Sequence, residues 1–303
     1  MKKKNIIVGA RGSKLAVKYA DTAIKQIRKI YSGNIELKKI TTKGDLVLDR
    51  KTSEIGGKGE FIKNIENELL QKKIDIAIHS LKDIPSEDTR GLVLKSFLKR
   101  NFPNEVLISN KNISLKKLNK NSVVGTSSAR REFQIKVKRP DLKIQLIRGN
   151  IDTRINLLNK KKYDAIILAK AGICSLNMKH LISEEFKCEE IVPSAGQGIV
   201  VLQARSDDIE ILDMLQKINN QEAQIMANCE REVLKILNGD CETAVGVYSE
   251  IKNNKIKIIA ELFSINGEDR YFCEEIDDIG NSIKIARKIG KYLKAESKGN
   301  YKI

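Results

Sequence analysis

Two short stretches of this chain place reactive side chains where chemistry is usually done, and a set of arginines says what kind of ligand they would meet. The first stretch is Ile74-Asp75-Ile76-Ala77-Ile78-His79-Ser80-Leu81-Lys82-Asp83-Ile84-Pro85. Its isoleucine-rich apolar run reads as a buried strand that stops where the polar residues begin. Pro85 lacks a donor and biases Ile84 away from helix, so Ser80 to Asp83 fall on a loop at the strand's carboxyl end. Open α/β sheets hold their ligands at that end. Among cations, the Asp83 carboxylate stays ionised, and it can stabilise positive charge on a substrate or pass a proton to a leaving amine. A solvated Lys82-Asp83 turn is the plainer alternative. The second stretch is Asn238-Gly239-Asp240-Cys241, between a helix and a sheet. A thiol there is either a small inert side chain or a nucleophile or attachment point, the latter needing access and nearby positive charge. Composition leaves both open.

Arg11, Arg130, Arg131, Arg148 and Arg154 all fall at loop–helix junctions, accompanied by Ser13 and Ser128. Arginine recognises carboxylate or phosphate with two parallel hydrogen bonds. Taken singly, each reads more simply as a surface charge. Their shared position relative to the strands implies a ligand with many anionic groups.

The elements that must position these residues can be read in order. A strand over Asn5 to Gly9 leads through Arg11-Gly12-Ser13 to a helix from Lys14 to Ile30, with Leu15, Tyr19, Ala23 and Ile27 on one face. Ser13 is placed to cap that helix, whose free N–H groups favour anions. Glu36 to Thr41 alternates like a strand. The long polar segment Thr42 to Glu60, with Gly56-Gly57-Lys58-Gly59, is a candidate lid and lacks the spacing of a phosphate-binding P-loop. A helix over Phe61 to Gln71, the strand already described, and another over Leu92 to Leu98 complete a first lobe. After Lys99-Arg100-Asn101-Phe102-Pro103-Asn104 the plan repeats. Val123-Val124 is a strand, Gly125-Thr126-Ser127-Ser128 a loop, and Ala129-Arg130-Arg131 opens a helix. A strand over Lys143 to Ile147 precedes Arg148-Gly149-Asn150, and Arg154 lies in the first turns of the next helix. Residues 74–84 can be laid over Tyr163 to Ile173, each preceded by paired lysines, with Gly172 where the first copy has Asp83. Two similar lobes would then face one cleft, with basic residues from both and a carboxylate from one. Ile191 to Gln203 reads as an apolar strand region returning to the first lobe. A helix over Glu222 to Leu237, strands over Ala244 to Ser249, Lys255 to Phe263 and Asp269 to Cys273, and a helix over Asn281 to Ala295 form a small α+β region.

Composition removes several classes of function. The 303 residues exceed one typical core, and 41% hydrophobic with 31% charged residues suits a folded chain. A formal charge of +17 could serve nucleic acid, but without Trp and with few aromatics a stacking platform is not expected. Cys174, Cys188, Cys229, Cys241 and Cys273 form no CxxC pair, and only His79 and His180 are histidines, so neither a disulfide framework nor a metal site is expected. The basic Met1-Lys2-Lys3-Lys4 is followed by too short an apolar run for a signal peptide. No stretch reaches the roughly 18 apolar residues of a membrane-spanning helix, so no membrane association and a cytoplasmic location are expected.

Arg11-Gly12-Ser13, Ile55-Gly56-Gly57-Lys58-Gly59, His79-Ser80-Leu81-Lys82-Asp83-Ile84-Pro85, Gly125-Thr126-Ser127-Ser128-Ala129-Arg130-Arg131 and Leu146-Ile147-Arg148-Gly149-Asn150 resemble the signatures of the porphobilinogen deaminase (hydroxymethylbilane synthase) family. Pro193-Ser194-Ala195-Gly196-Gln197-Gly198 and Gly239-Asp240-Cys241 extend the likeness, which covers nearly the whole chain in order. The resemblance implies an α/β fold: two periplasmic-binding-protein-like (type II) lobes with mixed sheets, and a small α+β C-terminal domain. The implied boundaries are residues 1–99 with 199–217, residues 104–193, and residues 220–303. It implies a dipyrromethane cofactor joined by a thioether to Cys241 and bound by Lys82, Asp83, Ser128, Arg130 and Arg131. Four porphobilinogens would be joined head to tail on it with loss of ammonia, and water would release the linear tetrapyrrole. Asp83 would be the catalytic acid and charge stabiliser. Arg11, Ser13, Arg148, Arg154 and Phe61 would bind substrate, the segment before Phe61 covering the cleft. The family implies a monomer with no nucleic-acid partner. Glu54, Glu60, Ser175, Gln203, Asp240 and Ala244 depart from the usual pattern: Ser175 stands for a common Arg, whose contact Lys170 or Lys179 could supply, and Gln203 for a usual Glu. Asp240 and Glu242 should disfavour a Cys241 thiolate and slow attachment. An anion-binding protein without catalysis and a nucleic-acid-binding protein are the alternatives.

Overall fold

The structure is a computed structural model that describes residues 5–41, 62–240 and 243–301. The chain divides into two compact units, Met1–Asn101 with Gly198–Ala227, and Phe102–Gln197 with Asn228–Ile303.

In the first unit a five-stranded mixed sheet has the order β2-β1-β3-β10-β4. Its strands are β1 (Ile6–Arg11), β2 (Ile35–Ile40), β3 (Ile76–Ser80), β4 (Leu92–Phe97) and β10 (Val200–Arg205). β1 runs parallel to β2 and β3, and β10 antiparallel to β3 and β4. α1 (Lys14–Ile27) buries Ala20, Ala23 and Ile27 against Ile6, Val8, Ile76 and Ile78. α2 (Lys63–Leu70) buries Ile65 and Leu69 with Ile74, Ala77 and Leu92.

The second unit contains a sheet of the same plan, β7-β6-β8-β5-β9. Its strands are β5 (Glu105–Ser109), β6 (Val123–Gly125), β7 (Lys143–Gln145), β8 (Ala165–Ala169) and β9 (Glu184–Glu185). β6 is parallel to β7 and β8, and β5 antiparallel to β8 and β9. The helices α3 (Ala129–Lys138), α4 (Ile151–Asn159) and α5 (Lys170–Ser175) follow β6, β7 and β8.

The internal overlay holds down to single bonds. Gly9 pairs with Ala77 in one sheet and Gly125 with Ile166 in the other, the same register. Asp75 N donates to Ile7 O, and Asp75 Oδ2 accepts from Ile7 N at 2.9 Å. Asp164 makes the same pair of bonds with Val123, Oδ2 accepting at 2.7 Å. A Cβ on Gly9 would lie 2.4 Å from Ile74 Cδ1, and one on Gly125 would lie 3.0 Å from Tyr163 Cδ1, which is the matching position. In both, the glycine leaves room for the side chain that enters the neighbouring strand. After the strands the copies diverge. β3 runs into the 3-10 turn Leu81–Asp83, whereas β8 runs into α5.

The second unit also holds an antiparallel sheet of β11 (Val245–Lys252), β12 (Lys255–Phe263) and β13 (Arg270–Asp278). The β11–β12 turn uses Asn253 and Asn254, both left-handed at φ 51° and 58°, as a two-residue hairpin requires. α8 (Ser282–Glu296) covers this sheet with Ile285, Ile289 and Leu293. Two helices complete the described elements, α6 (Ile209–Gln216) and α7 (Gln221–Leu237).

Three segments differ from their sequence expectation. The strand expected over Ile191 to Gln203 begins only at Val200, because Gly196 and Gly198 have φ of 74° and 84° and break the extended run. α1 ends at Ile27, and the bonds Lys29 N to Gln26 O and Ile30 N to Ile27 O tighten its exit. β13 runs on to Asp278, its acidic alternation hiding an edge strand paired along the whole of β12.

Candidate functional site

Adjacent parallel strands end at the same edge, so Arg11 at the end of β1 and Ser80 to Asp83 at the end of β3 share one edge of the first sheet. The turn carrying Lys82 and Asp83 is closed by Ile84 N donating to Leu81 O and tied to the neighbouring chain by Leu81 N donating to Ile199 O, both 3.0 Å. Leu81 and Ile84 are buried with Ile62, Phe97, Ile199 and Val201, which leaves Lys82 and Asp83 half-buried on the outer side. Among the described residues no side chain pairs with the Asp83 carboxylate. Ser13 caps α1, its hydroxyl accepting from Ala16 N at 3.3 Å, so Arg11 stands beside free helical N–H groups.

Beneath this edge lies His79, 5% exposed. Burial, and to a lesser degree the Arg11 charge, push its pKa down to about 4, against an opposing hydrogen bond with Gln203. Because the unfolded chain takes up this proton near pH 6.5 and the folded chain near 4, stability is full above pH 6.5 and declines as pH falls to 4, by about 3 kcal/mol. Urea unfolding at pH 7 and pH 4.5 checks this, and a His79→Phe variant should lose less on acidification.

In the second unit Ser128 caps α3, its hydroxyl accepting from Arg131 N at 3.5 Å. The first turn thus delivers Arg130 and Arg131, both buried. Arg130 donates to Val192 O at 2.8 Å and to Glu105 Oε1 at 2.7 Å. Arg131 lies 2.9 Å from Glu105 Oε2 and donates to Ile167 O at 3.3 Å. One fully buried carboxylate therefore serves two guanidinium groups. Burial lowers the Arg130 pKa, and Glu105 opposes that shift. Arg154 donates its Nε–H to Gly149 O at 2.8 Å. Burial, together with the charges of Arg131 and Arg148, pulls its pKa down to about 10. Arg131 Nε is buried with no hydrogen-bond partner. A cluster of cations at which Arg154 feels the charges of Arg131 and Arg148, with a buried N–H left over, fits a bound polycarboxylate. Ser128→Ala should remove about 1 kcal/mol through the lost cap, read as a shifted urea midpoint.

Cys241, Phe61, Glu54, Glu60, Glu242 and the segment Thr42 to Glu60 expected to act as a lid lie outside the described residues. On the near side of Cys241, Asn238 adopts φ 49° to end α7, with Gly239 N donating to Leu234 O at 2.9 Å. Asp240 Oδ1 accepts from Thr243 N at 3.1 Å, so the acid that should disfavour a thiolate has an intramolecular donor.

Of the stand-ins for the arginine replaced by Ser175, Lys170 is already engaged, 2.5 Å from Glu185 Oε1 and over the Phe102 ring at 4.5 Å. Lys179 is exposed. Ser175 itself donates to Ala171 O at 2.7 Å, within its own helix. Sequence reasoning missed Glu105, which had one signal: an acid opening an apolar strand. It also missed Glu66, which receives hydrogen bonds from Gln203 and Thr89.

Comparison with known proteins defines the class of this architecture. The family described as "Porphobilinogen deaminase, dipyromethane cofactor binding domain" matches residues 6–213, and "Porphobilinogen deaminase, C-terminal domain" matches residues 224–298. The porphobilinogen deaminase of Staphylococcus carnosus is 40% identical over 296 residues, 97% of this chain and 96% of that protein. That of Francisella tularensis subsp. holarctica is 38% identical over 302 residues, 99% of each. Among solved structures, a periplasmic binding protein of Salmonella typhimurium with high arginine specificity has a TM-score of 0.41 at 13% identity, covering 74% of this chain and 97% of that one. An ancestral arginine-binding protein bound to arginine has a TM-score of 0.40 at 15% identity, covering 76% and 97%.

This chain belongs to the porphobilinogen deaminase family. It is a transferase of tetrapyrrole biosynthesis that joins four porphobilinogens head to tail on a dipyrromethane primer, with loss of four ammonia, and releases hydroxymethylbilane by hydrolysis. Among the described residues no helix is long and apolar enough to cross a membrane.

Proposed function

We propose that Asp83 is the catalytic carboxylate of this reaction, and that the arginines of both units hold the substrate and product carboxylates. The observation that carries this is the charge inventory. In the second unit buried Arg131 keeps one orphan N–H and half-buried Arg154 lies within reach of the Arg131 and Arg148 charges, and in the first Asp83 has no partner among the described residues.

Porphobilinogen carries an acetate and a propionate on its pyrrole and a protonated aminomethyl group. Asp83 attracts that ammonium, assists its departure, and stabilises the cation left behind, work for which a carboxylate held on a fixed turn is suited. Lys82 and Asp83 would also hold the cofactor, the lysine pairing with the cofactor's carboxylates and the aspartate accepting from pyrrole N–H groups. Ser128, Arg130 and Arg131 hold further cofactor carboxylates. The dipyrromethane, attached at Cys241, supplies the pyrrole carbon to which each new ring is joined. Arg11, Ser13, Arg148 and Arg154 bind the side chains of incoming and accumulated rings, and Phe61 contributes to substrate binding. Each added ring brings two more carboxylates, so the number of cations follows from the length of the product. The proposed domains are residues 1–99 with 199–217, residues 104–193, and residues 220–303, in a cytoplasmic monomer.

Cys241→Ser tests the attachment. The variant should unfold at the same urea concentration as unloaded wild type, carry no adduct and turn over no porphobilinogen. A Cys241→Ser protein that keeps an adduct would overturn the assignment.

A further inference from the structure

Beneath the edge that bears Asp83, four polar side chains form a hydrogen-bonded chain whose logic the reaction has not yet used. His79 Nε2 and Gln203 Oε1 are 3.1 Å apart, Gln203 Nε2 donates to Glu66 Oε1 at 2.7 Å, and Thr89 Oγ1 donates to Glu66 Oε2 at 2.9 Å. His79, Gln203 and Glu66 are all buried. The register explains the contact. His79 pairs with Val201 and Ala77 with Gln203, so His79 and Gln203 are diagonal neighbours on one face of β3 and β10. Glu66 on α2 meets that face, and Arg11 on β1 supplies the other nearby charge.

The direction of each bond follows from the ends. Glu66 accepts at both oxygens, from Gln203 and from Thr89, so the Gln203 amide turns its NH2 toward Glu66 and its carbonyl toward His79. A carbonyl only accepts, so the proton of the imidazole must sit on Nε2. An amide cannot pass the charge on, and both burial and Arg11 oppose a second proton on the ring.

We propose that Gln203 is a positioning residue that acts through His79: its carbonyl fixes the ring proton on Nε2, so the strand end delivering Lys82 and Asp83 keeps one shape while the substrate's amine leaves. This rests on the reading of Asp83 above. A carboxylate at position 203 would stand at hydrogen-bond distance from Glu66. The two acids would then have to share a proton or give it to His79. Gln203 removes that proton from the edge of the site.

The chain has only two histidines, His79 and the exposed His180, so long-range proton–nitrogen spectra of the cofactor-loaded, nitrogen-15-labelled protein read each ring directly. Between pH 5.5 and 8, His79 should keep the Nε2–H pattern without titrating. In Gln203→Glu, His79 should become doubly protonated at pH 7, or the kcat profile should gain an ionisation within that range. Gln203→Met, which neither accepts from the ring nor donates to Glu66, should lower kcat about tenfold with little change in KM. A wild-type His79 that titrates between pH 5.5 and 8, or carries its proton on Nδ1, would overturn the proposal even if the variants failed to fold. So would a folded Gln203→Met with wild-type kcat. Neither spectral result depends on Asp83, so a failure here is separable from a failure of the catalytic assignment.

Discussion

Asp83→Asn should lower kcat by about 10²–10⁴-fold, the range for removing a positioned acid or a carboxylate that stabilises developing charge. Asn has the shape of Asp and keeps its capacity to accept a hydrogen bond from a pyrrole N–H. What it loses is the negative charge that draws out the ammonium and steadies the cation left behind. KM should therefore change much less than kcat, because substrate carboxylates are held by arginines rather than by Asp83. The fold should be unaffected. Asp83 is half-buried on a turn held by Leu81 and Ile84, and no described side chain depends on it, so its stability effect should stay within about 0.5 kcal/mol. Steady-state kinetics on protein loaded with its cofactor, with urea unfolding alongside, separate the two effects. Turnover within a few-fold of wild type would remove Asp83 from the chemistry.

Glu105→Gln should produce the largest stability effect. The Glu105 side chain is 0% exposed and lies 2.7 Å from Arg130 and 2.9 Å from Arg131. Removing its charge leaves two guanidinium groups buried without their counter-ion, a loss of about 3–5 kcal/mol for a broken buried pair. Glu261, buried and held by Arg270, is the remaining acid that acts on Arg130, and it cannot serve both arginines. The bound cofactor's carboxylates would replace part of what Glu105 supplies. The deficit should then be smaller in loaded than in unloaded protein, which urea unfolding of the two forms measures. Equal deficits in both would mean that Arg130 and Arg131 do not hold the cofactor.

Much of this architecture was legible in the sequence because its signals were local. The β3 run, the glycine and serine loops and the helix starts at Ser13 and Ser128 are each set by neighbours in the chain. The repeat was legible too, since Asp75 and Asp164 carry the same pair of backbone bonds. Arg130 and Arg131 were found as candidate ligand residues, but their shared counter-ion was not, because Glu105 is 25 residues from Arg130 in the chain. The chain from His79 to Glu66 was hidden for the same reason: Gln203 lies 124 residues from His79 and 137 from Glu66. Sequence patterns report what faces solvent or core, and buried polar pairing depends on which strands become neighbours. Before β10, Gly196-Gln197-Gly198 was visible in the sequence, but its left-handed backbone, which delays the strand to Val200, was not.

The central claim, a polycarboxylate chain grown on a covalently held primer, is tested most directly by the intact mass of the purified active protein before and after limiting porphobilinogen. The mass should exceed that of the sequence by one dipyrromethane, with the adduct on the Cys241 peptide. It should then rise in successive steps, each equal to one porphobilinogen less one ammonia, reaching four at most. An active protein of unmodified mass, or one whose mass does not change while porphobilinogen is consumed, would contradict the account.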